Sequence, residues 1–290
     1  MNKQELTALV AEILESMEPQ KKAPEGREAS ERSCPEGIPD VTALDLRKLY
    51  LTENPENGEK FRKMKEKTPA RLGSGRAGPR YRTLTMLRFR ADHAAAQDSV
   101  FSQVPEDFAA RNGMAEVRTR CRDKDEYLTR PDRGRIFDEE TAGKIRQLLP
   151  QAPPVQIIIG DGLSSAAITA NAMDCLGAIR DGLKLRGIDP GTPIFVRYCR
   201  VGAGDAIGSI TGCRLVCMLV GERPGLVTDK SMSAYLTYAP RTGVSESSRT
   251  VVSNIHAQGT PAVEAGAHIA ELMGLILEKK VSGVGLEAGI

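Results

Sequence analysis

Val155-Gln156-Ile157-Ile158-Ile159-Gly160-Asp161-Gly162-Leu163 is the stretch that decides the fold. Its first five residues form a short, nearly continuous apolar run, which suits a strand buried on both faces. Asp161-Gly162 turns the chain, and Leu163 opens a helical pattern that runs to about Arg186, with Gly187 as its stop. Ile194-Phe195-Val196-Arg197-Tyr198 reads as a second strand, Leu215-Val216-Cys217-Met218-Leu219-Val220 as a third, and residues 233–239 as a fourth. Thr260-Pro261 places a capping residue before a proline in the first turn of a last helix that reaches about Lys280. Strands alternating with helices predict an α/β domain with a Rossmann-like parallel sheet over residues 114–290. Ligands of such sheets bind beyond the carboxyl ends of the strands, which directs attention to Asp161, Val201 and Gly221.

Upstream the grammar differs. Residues 44–113 read as a small helical domain: Leu44, Leu46, Leu49 and Leu51 begin it, and residues 84–96 carry a further periodic run. Pro105-Glu106-Asp107-Phe108 opens a short helix that Gly113 can end. Residues 1–20 read as an amphipathic helix, with Leu6, Leu9, Val10, Ile13, Leu14 and Met17 opposite Lys3, Glu5, Glu12 and Glu15. Residues 21–43 bring proline, lysine and glutamate, the composition of a flexible linker. A helix so short is marginal alone, so its apolar stripe either folds back on its own body or docks on another protein.

Composition narrows the function classes. Over 290 residues the formal net charge is only +2, aromatics make up 4% and tryptophan is absent, which argues against a nucleic-acid binder. Between residues 60 and 90, however, Lys60, Arg62, Lys63, Lys65, Lys67, Arg71, Arg76, Arg80, Arg82, Arg88 and Arg90 face Glu66 alone. That stretch is either a solvated helical face or a patch for an acidic partner or anionic ligand. The six cysteines form no C-x-x-C pair, and with three histidines they predict reduced thiols in an intracellular protein rather than a zinc site. No apolar run approaches the roughly 20 residues of a membrane span.

Local motifs for chemistry are few. Val201-Gly202-Ala203-Gly204-Asp205-Ala206-Ile207-Gly208 follows the second strand and Glu222 closes the third, a partial nicotinamide fingerprint whose last glycine falls one place late. His256 lies in Ser253-Asn254-Ile255-His256-Ala257-Gln258-Gly259, read as a polar loop. There it either meets a ligand or bonds its own turn, and as a single candidate base it favours the turn. His268, inside the last helix, reads as a packing residue. There is no nucleophile elbow, no P-loop and no Ser/His/Asp signature.

Six motifs in register carry a resemblance. Gly75-Arg76-Ala77-Gly78-Pro79-Arg80, Tyr127-Leu128-Thr129-Arg130-Pro131-Asp132, Asp161-Gly162-Leu163-Ser164, Phe195-Val196-Arg197-Tyr198, Leu219-Val220-Gly221-Glu222-Arg223-Pro224-Gly225 and Ser253-Asn254-Ile255-His256 occur in that order. The chain resembles the ethanolamine ammonia-lyase small-subunit family over nearly its whole length. The resemblance implies an enzyme that converts ethanolamine to acetaldehyde and ammonia by a radical mechanism, active only with a large subunit that holds the substrate. It implies adenosylcobalamin at the interface, bound base-on; D-x-H-x-x-G is absent, Asp92-His93 being adjacent. The family's cobalamin contacts fall on Val201, Glu222 and Val251, where the family pattern has a cysteine at the position of Val251. It assigns this chain no catalytic residue and no metal ligand. The implied assembly has six large and six small subunits in a bacterial microcompartment, with residues 1–20 docking on shell or cargo.

Overall fold

The computed structural model describes residues 40–68 and 70–287, and residues 41–290 form one compact unit. The expected helix over residues 1–20 lies outside the described residues, as does nearly all of the linker.

After a single 3-10 turn at Val41–Ala43, the chain reaches helix α1 (Gly58–Lys65) without forming the helix expected from Leu44. Leucines at 44, 46, 49 and 51 fall at spacings that no single helix face can gather. A two-stranded hairpin follows, β1 (Arg76–Ala77) with β2 (Arg80–Tyr81), then the long helix α2 (Thr83–Phe101) and the short α3 (Phe108–Arg111). Gly113 follows α3 at φ 64°, in keeping with its reading as a stop.

The sheet begins one strand earlier than the sequence suggested, at β3 (Ala115–Arg118), whose Glu116 and Arg118 hide its strand character. Helices α4 (Lys124–Thr129) and α5 (Glu139–Leu148) lead to β4 (Val155–Gly160). Then come α6 (Ser165–Leu185), β5 (Ile194–Arg197), α7 (Gly202–Thr211), β6 (Leu215–Gly221), β7 (Met232–Tyr238), β8 (Arg249–Ile255), α8 (Ala262–Lys279) and α9 (Val284–Glu287). Ser164 caps α6 by accepting the Ala167 N–H. The helix stops at Gly187, whose φ is 68°.

The strand order is β3-β5-β4-β6-β7-β8. The first four strands are parallel, but β7 and β8 run antiparallel, so the sheet is mixed where a wholly parallel one was expected. The cause is the connection. Residues 222–231 hold no helix, and a parallel return needs a crossover of a dozen or more residues. A bridge without a crossover brings β7 back antiparallel. Ser253, Asn254 and Ile255, expected in a loop, complete β8. Thr260 is not the cap of the last helix: Pro261 holds that position with no side-chain bond, and Thr260 instead forms a bridge to Ile255.

Every residue of β4 and β6 is buried, as the opening stretch predicted for β4. Val155, Ile157, Ile159, Leu215, Cys217 and Leu219 face a core with α6 and α8. Ile158, Val216, Met218 and Val220 face a second core that includes Ile145 of α5 and Ala203 and Ile207 of α7. Alternating side chains thus feed two apolar layers from one strand. The sheet is consequently rigid, and its carboxyl edge can hold side chains in fixed places.

Candidate cofactor-facing cleft

At that edge lies a cleft of about 180 Å³ lined by residues that include Val201, Glu222, Arg200, Tyr127, Cys199 and Tyr235. Val201 follows β5 and opens α7; Glu222 follows β6; Tyr235 comes from the antiparallel β7. Two of the three contact residues that the resemblance assigns therefore line one cleft. Val251 does not line the cleft. It sits on β8 directly opposite Tyr235 and is 46% exposed. Residues paired across antiparallel strands present side chains on the same face, so Val251 extends the surface that Tyr235 begins. Val201 and Tyr235 both pack against the second core, which fixes that face as the α7 side.

Glu222 is oriented from two elements. Ser233 Oγ of β7 donates to Glu222 Oε1, and the Asn254 N–H of β8 donates to the same oxygen at 3.3 Å. Its backbone N–H donates to Ser231 O at 2.9 Å. Asn254 reaches it from a left-handed conformation, φ 58°, which asparagine tolerates better than most residues.

At the wall of the cleft, Tyr127 is fully buried and donates from Oη to Cys199 O at 3.1 Å. The Arg200 guanidinium lies 4.2 Å from the Tyr127 ring centroid, and Nη2 donates to Tyr127 O at 2.9 Å. Arg200 Nε is buried without a hydrogen-bond partner among the described residues. Burial pushes the Tyr127 phenol well above its usual range and lifts the Cys199 thiol too, so both stay protonated. Tyr198, the residue after β5, is held at φ 55°, a strained backbone for an aromatic residue.

Asp161, one of the three positions indicated by the sheet rule, lies below the cleft rather than in it. Its carboxylate accepts from Ser165 Oγ at 2.7 Å and the Val104 N–H at 3.4 Å. Its backbone links β5 on both sides, through Val196 O and the Cys199 N–H. Burial pushes its carboxyl up, offset in part by Ser165 and Lys124. Lys124 is itself buried 3.4 Å from Gly162 O, and burial lowers its ammonium. Asp161 therefore acts as a structural tie.

The partial nicotinamide fingerprint dissolves in three dimensions. Gly202, Gly204 and Gly208 all lie inside α7, not in a phosphate-cradling turn. A Cβ on Gly208 would sit 2.4 Å from Pro240 Cγ, and one on Gly204 would sit 3.1 Å from Val216 Cγ1, so Gly204 serves helix–sheet approach and Gly208 the approach of the helix to the loop after β7. His256 bonds its own turn: its backbone donates to Thr260 O at 3.1 Å, and Nδ1 accepts the Gln258 N–H at 3.3 Å. His268, expected in the core, is exposed on α8. Among the described residues no cluster of His, Cys, Asp or Glu could hold a metal ion.

The basic stretch is partly spent internally. Asp92 takes Arg71 at 2.6 Å and Arg88 at 2.8 Å, Lys65 donates to Leu72 O, and Arg71 lies 4.8 Å from the Phe89 ring centroid. Lys60, Arg76, Arg80 and Arg90 remain exposed. Among the described residues no helix is long and apolar enough to cross a membrane.

Sequence reasoning missed Ser233, Tyr235 and Arg200. Ser233, Tyr235 and Thr237 alternate with Met232, Ala234 and Leu236, a period of two that marks a face of its own. Arg200 carried no signal beyond its place after a strand.

Residues 58–287 match the family model described as ethanolamine ammonia-lyase light chain (EutC). Among curated proteins the chain is similar to three named ethanolamine ammonia-lyase small subunit. That of Clostridium perfringens is 59% identical over 252 residues, covering 87% of this chain and 85% of the relative. That of Clostridioides difficile is 54% identical over 297 aligned positions, covering 99% and 100%. That of Listeria innocua is 53% identical over 293, again covering 99% and 100%.

Proposed function

The chain belongs to the ethanolamine ammonia-lyase light-chain family, and from that premise we propose that it is the small subunit of a two-component lyase, presenting one side of an adenosylcobalamin site. The complex would convert ethanolamine to acetaldehyde and ammonia, with the substrate held by the large subunit. One observation carries this reading. Val201, Glu222 and, through Tyr235, Val251 converge on a single rigid face at the carboxyl edge of the sheet.

The residues fit such a group as one wall. A pocket that encloses a drug-sized ligand takes roughly 300–1,000 Å³, and the cleft of about 180 Å³ can seat only an edge of one. The remainder must be covered by a partner. Glu222, an acceptor when ionised, would take hydrogen bonds from amide or hydroxyl groups of the cofactor. Val201 and Val251 would supply apolar surface that keeps water out, and Arg200 adds a donor-rich cation beside them. Radical chemistry is what the cofactor supplies when bound; position and dryness are what this chain supplies.

Residues 1–20 would tether the complex inside a bacterial microcompartment. Removing them should disperse the protein while activity persists, and a truncated chain that stays encapsulated refutes the tether. The test of the main reading is ammonia release from ethanolamine plus adenosylcobalamin with this chain alone, with its large subunit, and with the large subunit only. Activity in the mixture alone is expected. Activity without this chain, or none with both folded chains present, sinks the proposal.

A further inference from the structure

One step behind the cleft, Arg249 of β8 is buried with its side chain 3% exposed and carries a full set of hydrogen bonds. Nη1 and Nη2 donate to the two carboxylate oxygens of Asp205 on α7, each at 2.8 Å. Nη1 also reaches Thr237 Oγ1 at 3.2 Å, while Nε and Nη2 reach Glu246 at 2.7 and 3.3 Å. Five N–H donors are available on a guanidinium and all five are used.

The register gives this pair a place. Asp205 is four residues beyond Val201, one helical turn along the same face of α7. Arg249 is two residues before Val251 on the same face of β8, and it lies opposite Thr237 as Val251 lies opposite Tyr235. The outer row is Val201, Tyr235 and Val251. The row behind it is Asp205, Thr237 and Arg249. A buried ion pair contributes little net stability compared with apolar packing, because desolvation offsets the attraction. A two-point carboxylate–guanidinium contact does fix distance and angle. Among the described residues no other side-chain hydrogen bond joins α7 to β8, which is the outermost strand and pairs in the sheet with β7.

We propose that the Asp205–Arg249 pair is a positioning clamp, which sets the gap between the helix start carrying Val201 and the strand carrying Val251. The clamp thereby shapes the surface offered to the cofactor. It rests on the adenosylcobalamin reading of the cleft, and neither residue touches the ligand. Glu246, exposed and bonded to Nε, steadies the guanidinium from the solvent side.

The experiment uses the complex reconstituted with the large subunit, probed with adenosylcobalamin by absorbance titration and checked for assembly by gel filtration. Arg249→Lys keeps the charge and loses the two-point contact; Asp205→Asn keeps the shape and loses the charge. The expected result is normal assembly with a dissociation constant for adenosylcobalamin raised roughly ten- to a hundredfold. The KM for ethanolamine at saturating cofactor should stay within about twofold, since the substrate sits in the partner. Unchanged cofactor affinity in an assembled variant overturns the clamp. Failure of both variants to assemble also overturns it, by assigning the pair to folding. A wild-type complex with no affinity for adenosylcobalamin would sink the reading of the cleft itself.

Discussion

Glu222 shows how little a single residue decides alone. Its carboxylate owes its aim to Ser233 and Asn254, contributed by two strands that the sequence places far from it. Hydrogen bonds to an ionised acceptor are about twice as strong as those between neutral groups. Glu222→Gln should therefore raise the dissociation constant of adenosylcobalamin roughly tenfold, with the thermal midpoint of the chain almost unchanged. An absorbance titration beside a melting curve checks both, and unaltered affinity would return Glu222 to a purely local role in its turn. Cys175 gives a second test at this scale. Burial pushes its thiol from the ordinary 9.0 up to about 12. The folded state keeps a proton that the unfolded chain gives up, so this contribution is full below about 9 and is lost as pH rises toward about 12. The urea midpoint should fall across that window, and less steeply in Cys175→Ala; identical slopes would reject the assignment.

Among the elements, α7 shows why a motif needs its structural setting. A glycine-rich run after a strand has two uses: it can cradle a phosphate, or it can bring a helix close to a sheet. Here the helix begins at Gly202 itself and its glycines face packed atoms. Gly208→Ala would place a methyl group against the ring and carbonyl of Pro240, closer than atoms can pack. Overpacking of this kind costs about 1–3 kcal/mol, so its thermal midpoint should drop by several degrees. Gly204→Ala, whose neighbours are the ends of Val216 and Met218, should lose less. Differential scanning calorimetry of the two variants orders them, and the reverse order would contradict the packing role.

At the scale of the molecule, an open cleft on a rigid edge and an exposed basic hairpin both point outward. Arg76 and Arg80 flank the β1–β2 turn, and both are exposed. If the hairpin meets an acidic face of the large subunit, charge reversal at both positions should weaken assembly at least roughly tenfold and lose its salt dependence. Gel filtration of the mixed subunits at low and high salt measures it. A complex of unchanged strength would leave the arginines as solvated surface.

The sequence by itself determined the central strands and the two long helices that cover one face of them, because a fully buried strand needs an unbroken apolar run and a helix needs its period. Strand ends in such a sheet are where ligands sit, which marked Asp161, Val201 and Gly221; Glu222 and Val251 came from the family resemblance. Tertiary structure alone decided that the last two strands turn back, since direction follows from how a loop closes and not from the residues of the strand. It alone brought Ser233, Tyr235 and Arg200 to the site, set Arg249 behind it, sent Asp161 beneath it and put His268 outside the core. Those placements depend on which elements become neighbours, and side-chain pattern along one segment carries no record of the segment that will face it.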